Sequence, residues 1–130
     1  MIFLVNFIMM SLMNKKKILL IDDEDFIRDV VKDCLEMEDI HTDGVETSEQ
    51  GLGLITRNNY NLILLDRNLE KGEVEEVIEE IHKIDKDIPI IILTGDVDCD
   101  QNYLKQLGAV DVVLKPFQVN EFVEKINKFL

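Results

Sequence analysis

The apolar run ILLI (18–21) ends in four consecutive acids, Asp22, Asp23, Glu24 and Asp25. Like charges this close repel, so the pattern implies a positive partner that offsets them. Three later apolar runs also close on residues able to do chemistry. NLILL (61–65) leads to Asp66, PIIIL (89–93) to Thr94, and VDVVL (110–114) to Lys115. Clustered carboxylates make a hard oxygen site of the kind that holds Mg²⁺ through few protein ligands and several waters. The plainer alternative, that Asp22 to Asp25 only complement the positive end of a helix, leaves Asp66 and Lys115 at matching positions unexplained.

For these residues to meet, the ends of well-separated runs must lie side by side. From Lys16 onward the chain alternates short β-branched runs (17–21, 61–65, 89–93, 110–114, and a weaker one at 40–45) with segments of helical apolar spacing. Phe26, Val30, Val31, Leu35 and Met37 mark one such segment; Val74, Val77, Ile78 and Ile81 a later one; Phe122, Val123, Ile126 and Phe129 the last. Thr47 followed by Gln50 predicts a capping box, as does Asp98 followed by Gln101. Runs that are apolar throughout predict strands buried on both faces, as in a parallel sheet covered by helices. Five β–α units in succession predict a doubly wound α/β domain, a five-stranded parallel sheet in a three-layer sandwich. Ligands in such folds bind beyond the carboxyl ends of the strands, where the strand order reverses. Asp22, Asp23, Asp66, Thr94 and Lys115 are therefore expected on one edge.

Composition narrows the partners. The chain has 130 residues, one domain's length, and a formal charge of −13. That balance argues against nonspecific nucleic-acid binding and against an anionic membrane surface, and favours a cation or a basic protein surface. Cys34 and Cys99 stand far apart without metal-ligand spacing, which predicts free thiols in a reducing cytoplasm. Residues 1–12 are apolar and uncharged. They are too short to span a bilayer, which needs about 20 apolar residues, and Lys15 to Lys17 follow them rather than precede them as in a secretory signal. The expectation is that residues 1–12 are an N-terminal extension and that the functional domain covers 13–130.

KKKILLIDDEDFIRD, YNLILLDRNL, IPIIILTG and GAVDVVLKPF occur in order and at normal spacing. Together they identify residues 13–130 as resembling a response-regulator receiver domain, the phosphoacceptor module of two-component signalling. The resemblance implies a flavodoxin-like, CheY-like fold and a stand-alone cytoplasmic regulator. It implies phosphorylation on Asp66 by a histidine kinase or histidine phosphotransfer protein, Mg²⁺ (or Mn²⁺) as cofactor, and an unidentified downstream protein target. Asp23, Asp66 and the backbone carbonyl of Asn68 would ligate the cation, with Asp22 acting mainly through water. Thr94 would bond the phosphoryl oxygens, Lys115 would pair with the phosphoryl group, and Gly95 would leave it room. Asn68 and Asp96 resemble the positions that assist hydrolysis of the acyl phosphate, which implies rather quick self-dephosphorylation. Such a module is a signalling phosphoacceptor rather than an enzyme, and phosphorylation shifts it between surface conformations. Its output face is implied on the fourth helix, fifth strand and fifth helix of the β–α series. Two other readings stay open: a binding module that takes no phosphate, and the receiver portion of a longer DNA-binding regulator.

Two departures from the family stand out. RNLEKGEVEE after Asp66 lacks the usual proline and is shorter than the common loop, and Val112 stands where many receivers carry Tyr or Phe. The resemblance also implies a cis Lys115–Pro116 bond, a form that X-Pro bonds alone adopt cheaply. GLGLIT (51–56) follows a helix cap and has Thr56 in place of a third glycine, which argues against a dinucleotide site; Gly51 and Gly53 are expected to permit close helix packing. The acids after the first strand repel a bare phosphate, which argues against a flavin site. His41 and His82 are expected at the surface or sheet edge, and Glu73 to Glu80 on a solvated helix face.

Overall fold

The computed structural model describes residues 1–13, 15–68 and 74–130, with residues 10–13 given by their backbone alone. Helix α1 (Ile2–Met13) precedes strand β1 (Lys17–Ile21). Then follow α2 (Asp25–Glu36), β2 (His41–Val45), α3 (Ser48–Arg57), β3 (Leu62–Asp66) and α4 (Val74–Ile84). The chain closes with β4 (Ile90–Thr94), α5 (Gln101–Leu107), β5 (Asp111–Leu114) and α6 (Val119–Asn127). The strands form one parallel sheet in the order β2-β1-β3-β4-β5, the doubly wound α/β arrangement expected. Ile21 lies opposite Val45 on one side and Leu65 on the other, so the order reverses around β1, where α/β sheets open a crevice.

Alternate residues of each central strand serve opposite faces. Leu19, Ile21, Ile63, Leu65, Ile90 and Ile92 belong to the core under α3, α4 and α5, with Ile55, Val77, Ile78, Ile81 and Leu104. Ile18, Leu20, Leu62, Leu64, Ile91 and Leu93 belong to the core under α2 and α6, with Val31, Leu35, Phe122 and Ile126. Burying one such side chain contributes roughly 1.5–3 kcal/mol relative to leaving it in water. The two cores together make the sheet a rigid floor for the loops at its carboxyl edge.

Several local expectations shift. On α2 the buried stripe runs through Ile27, Val31 and Leu35, while Phe26 and Met37 are 74% and 87% exposed. A stripe begun one residue early is rotated by about 100° on a helix of 3.6 residues per turn. The Thr47–Gln50 capping box forms as expected. Helix α5, however, is capped by Asp100, whose side chain accepts from the Tyr103 amide at 3.0 Å. Asp98 instead donates its amide to Asp96 Oδ1 at 2.9 Å, which keeps it in the preceding loop. A Cβ on Gly51 would collide with Ile21 Cδ1, whereas one on Gly53 would meet only the tip of Arg57, so only Gly51 is required for packing. Gly108 ends α5 with a positive φ of 126°, a conformation glycine adopts at least cost.

His41 lies on the edge strand β2 and pairs with Asp43 Oδ1 at 2.8 Å. His82 is half-buried, its Nε2 3.2 Å from the carbonyl of Ile88. Cys34 and Cys99 are free and half-buried. Glu75 departs from the solvated face of α4 and accepts from Tyr103 OH at 3.2 Å; Glu76, Glu79 and Glu80 are exposed, and Glu73 lies outside the described residues. The side chains of residues 1–9 face solvent, and among the described residues no helix is long and apolar enough to cross a membrane. Residues 69–73, within the stretch after Asp66 that departs from the family pattern, lie outside the described residues.

Candidate functional site

Asp22 follows β1, Asp66 closes β3, Thr94 closes β4 and Lys115 follows β5, so the sheet delivers all four to one edge. Asp22, Asp66 and Thr94 are 0%, 2% and 0% exposed, whereas Asp23 is open to solvent. Carboxylate oxygens of Asp22, Asp23, Glu24 and Asp66 all lie within 4.8 Å of one another. Lys115 Nζ reaches Asp22 Oδ2 at 2.7 Å, Glu24 Oε1 at 3.3 Å and Asp66 Oδ1 at 3.5 Å.

Backbone groups hold the rest of the geometry. The Glu24 amide donates to Asp22 Oδ1 at 2.9 Å and the Asn68 amide to Asp66 Oδ1 at 3.1 Å. The Asp22 amide donates to the Val45 carbonyl at 3.0 Å and the Lys115 amide to the Thr94 carbonyl at 2.7 Å. Both loops are thereby pinned to neighbouring strands. The Lys115–Pro116 peptide is cis, as the resemblance implied.

One ammonium offsets part of the charge of four carboxylates. The remainder is an all-oxygen donor set with two exposed members, Asp23 and Glu24, which fits a small hard divalent cation. Burial pushes the Asp66 carboxyl above the ordinary carboxylate range and the charge of Asp22 adds to this, against the Asn68 amide and Lys115. For Lys115, burial alone would pull the ammonium down. The hydrogen bond to Asp22 and the charges of Asp66, Asp22 and Glu24 outweigh it and hold the group above its ordinary value. Lys115 is therefore firmly cationic.

The raised Asp66 carboxyl has a consequence for stability. Its contribution to folding is present below its ordinary value of 3.8 and is lost as pH rises through the raised folded value. In chelator, Asp66→Asn is expected to melt at a higher temperature than the parent at pH 7, with the gap closing towards pH 4. Melting curves followed by circular dichroism across that range check it; equal or lower melting at pH 7 goes against this account of Asp66.

Around this centre the structure adds residues that the sequence reading left without roles. Glu24 joins the carboxylate cluster and pairs with Lys115, whereas Asp25 turns away to pair with Arg28. Arg67, next to Asp66, reaches Asp96 Oδ2 at 3.2 Å, and the Asp96 amide donates to Thr94 Oγ1 at 3.1 Å. Adjacency to Asp22 and Asp66 was the available signal for Glu24 and Arg67; nothing in the spacing marked Arg28. A Cβ on Gly95 would meet nothing within 4 Å, so the space above the end of β4 is open. Val112 is 1% exposed and lies opposite Ile92 in the core under α5.

Against known proteins, the family model for the response regulator receiver domain matches residues 18–127. Sporulation initiation phosphotransferase F of Bacillus subtilis (strain 168) is 31% identical over 120 residues, which are 91% of this chain and 96% of that protein. The ycf27 protein of Cyanophora paradoxa, named a probable transcriptional regulator, is 38% identical over 119 residues. That match covers 90% of this chain and 49% of the relative, so the chain spans about half of its length. Among solved structures, response regulator protein TrrA of Thermotoga maritima, in complex with Mg²⁺ and BeF, superposes with a TM-score of 0.80 at 35% identity, covering 88% of this chain and 99% of that one. The receiver domain of sensor histidine kinase PA1611 of Pseudomonas aeruginosa, with a magnesium ion in its active-site cleft, shares the fold with a TM-score of 0.79 at 24% identity, over 88% of this chain and 97% of that one.

Proposed function

The chain belongs to the response-regulator receiver family of two-component signalling, and from that premise we propose that it is a phosphoacceptor switch charged on Asp66 by a histidine kinase or histidine phosphotransfer protein. One observation carries the reading. A carboxylate only 2% exposed, Asp66, lies 3.5 Å from a cationic lysine inside a four-carboxylate cluster. An acid so buried beside further acids is costly to the fold, and such sites are where function concentrates.

Asp23, Asp66 and the carbonyl of Asn68 would hold Mg²⁺ (or Mn²⁺), with Asp22 acting through water. When bound, the cation supplies positive charge between the carboxylate nucleophile and the phosphoryl anion. The remaining work is positioning and charge stabilisation by the chain itself. An Asp66 oxygen attacks phosphorus in line, an O–P bond forming as the donor's N–P bond breaks and the leaving imidazole keeps the bonding pair. Lys115, already beside Asp66, receives the equatorial oxygens. The Thr94 hydroxyl turns from the Asp96 amide towards them, into the space that Gly95 leaves open. Hydrolysis returns Asp66, with Asn68 and Asp96 orienting the water. The charged state switches the surface offered to a protein partner through α5, β5 and α6, the counterparts of the fourth helix, fifth strand and fifth helix.

Intact-mass spectrometry after incubation with acetyl phosphate tests this reading. A single phosphoryl addition is expected with Mg²⁺ and none in chelator. No addition to a folded chain that binds Mg²⁺ would favour a binding module that takes no phosphate.

A further inference from the structure

Arg28, one turn into α2, has no part in the chemistry above, yet its side chain is only 13% exposed. Its Nη1 donates to the backbone carbonyl of Asp22 at 2.6 Å. Its Nη2 pairs with Asp25 and lies 3.6 Å from Glu46 Oε1, across the loop that follows β2. Its own amide donates to the carbonyl of Glu24 at 3.1 Å. One residue therefore holds the acidic loop at two carbonyls, Asp22 and Glu24, and at the carboxylate of Asp25.

The seat for this side chain is built into the sheet. A Cβ on Gly44 would stand 3.3 Å from Arg28 Cδ and 3.6 Å from its Cβ and Cγ, so the missing side chain on β2 is the slot along which the arginine stem lies. Gly44 is opposite Leu20 in register, two residues before Asp22.

We propose that Arg28 is a positioning residue for the cation and phosphoryl site. The carbonyl it holds belongs to the planar peptide that joins Asp22 to Asp23. Fixing that plane fixes the direction from which each residue presents its carboxylate: Asp22 inward to Lys115, Asp23 outward to the open side of the cluster. The forked guanidinium suits the task because it meets a carbonyl and two carboxylates at once. This inference rests on the receiver reading above.

The competing account, that Arg28 only balances charge in an acidic chain, makes the opposite prediction. A guanidinium at the rim repels an incoming cation, so if charge were its role, removing it would tighten Mg²⁺ binding. Calorimetric titration of Mg²⁺ into the parent chain and three variants separates the two. Arg28→Met is expected to weaken Mg²⁺ binding about 10-fold or more, as loss of groups that orient metal ligands commonly does. Arg28→Lys should recover only part of it. Gly44→Val, which changes no charge, should weaken binding by displacing the arginine stem. Melting curves in chelator establish which variants are folded. Unchanged or tighter binding by a folded Arg28→Met overturns the proposal, and if that variant does not fold, unchanged affinity in Gly44→Val overturns it. A parent chain that binds no Mg²⁺ overturns the receiver reading as well; a parent that binds while the variants match it overturns the role of Arg28 alone.

Discussion

Asp66→Asn is expected to abolish phosphoryl addition from acetyl phosphate, leaving a chain that is folded and shows no mass shift with Mg²⁺ at any incubation time. Four carboxylates lie together here, so total loss on changing one of them needs a reason. Asp22 is fully buried, with one oxygen bound to the Glu24 amide and the other to Lys115, so neither is free to attack. Asp23 and Glu24 are exposed, and although Glu24 faces the same ammonium at 3.3 Å, neither closes a strand beside the Thr94 hydroxyl. Asp66 alone closes a central strand with Thr94 at the end of the next strand and Lys115 within 3.5 Å. Asparagine keeps the shape and can still accept from the Asn68 amide, so a loss of addition reads out chemistry rather than collapse. Addition that persists in the variant and maps by peptide mass spectrometry to Asp23 or Glu24 would move the acceptor and sink the assignment. With the higher melting temperature expected of this variant in chelator, the result would show one residue costing stability and supplying function.

The fold was legible because its two strongest signals are both periodic. Runs such as LILL and IIIL are apolar on both faces, which permits only strands covered from both sides, and all ten of the elements expected from Lys16 onward are present. Legibility of the site follows from that of the fold. In a parallel sheet the residue closing one strand lies beside those closing its neighbours, so Asp66 and Thr94 needed only their place after the apolar runs to be brought together. What stayed hidden depends on side-chain direction. Arg28 and Gly44 are sixteen residues apart on different elements, and their fit is a matter of one missing Cβ, which no spacing reveals. Phe26 misled the phase of α2 because hydrophobicity alone does not say which of two adjacent apolar residues faces inward. Asp98 and Asp100 present the same residue type two positions apart, and only the turn closed on Asp96 decides between them.

Lys115→Met is expected to cost the metal-free fold roughly 2–4 kcal/mol, because it leaves buried charge without its partner. Methionine replaces the stem and removes the ammonium that bonds Asp22 at 2.7 Å and faces Glu24 and Asp66. Asp22, with no exposed surface, then lacks both its counter-charge and the water that would replace it. Out of a typical domain stability of about 5–15 kcal/mol this is a large fraction, seen as a melting temperature lower by roughly 10 °C. The sign with pH follows from the raised value of Lys115. Its contribution is fully present below the ordinary value of 10.5 and is lost as pH rises through the folded value, so the gap between parent and variant holds near neutrality and closes only in strong alkali. Mg²⁺ should narrow the same gap at pH 7, because four uncompensated carboxylates gain more from a cation than four already sharing an ammonium, and binding to the folded chain alone raises stability by mass action. A variant that melts with the parent in chelator would show that the ammonium does not support the resting fold. The double variant Asp66→Asn, Lys115→Met tests whether the two effects have one origin. Each single change shifts the charge of one cluster in opposite directions, so losing Asp66 should stabilise the Lys115→Met background more than the parent. The pair should then be less damaging than the sum of the two single changes and respond less to Mg²⁺ than Lys115→Met does, whereas independent sites would simply add.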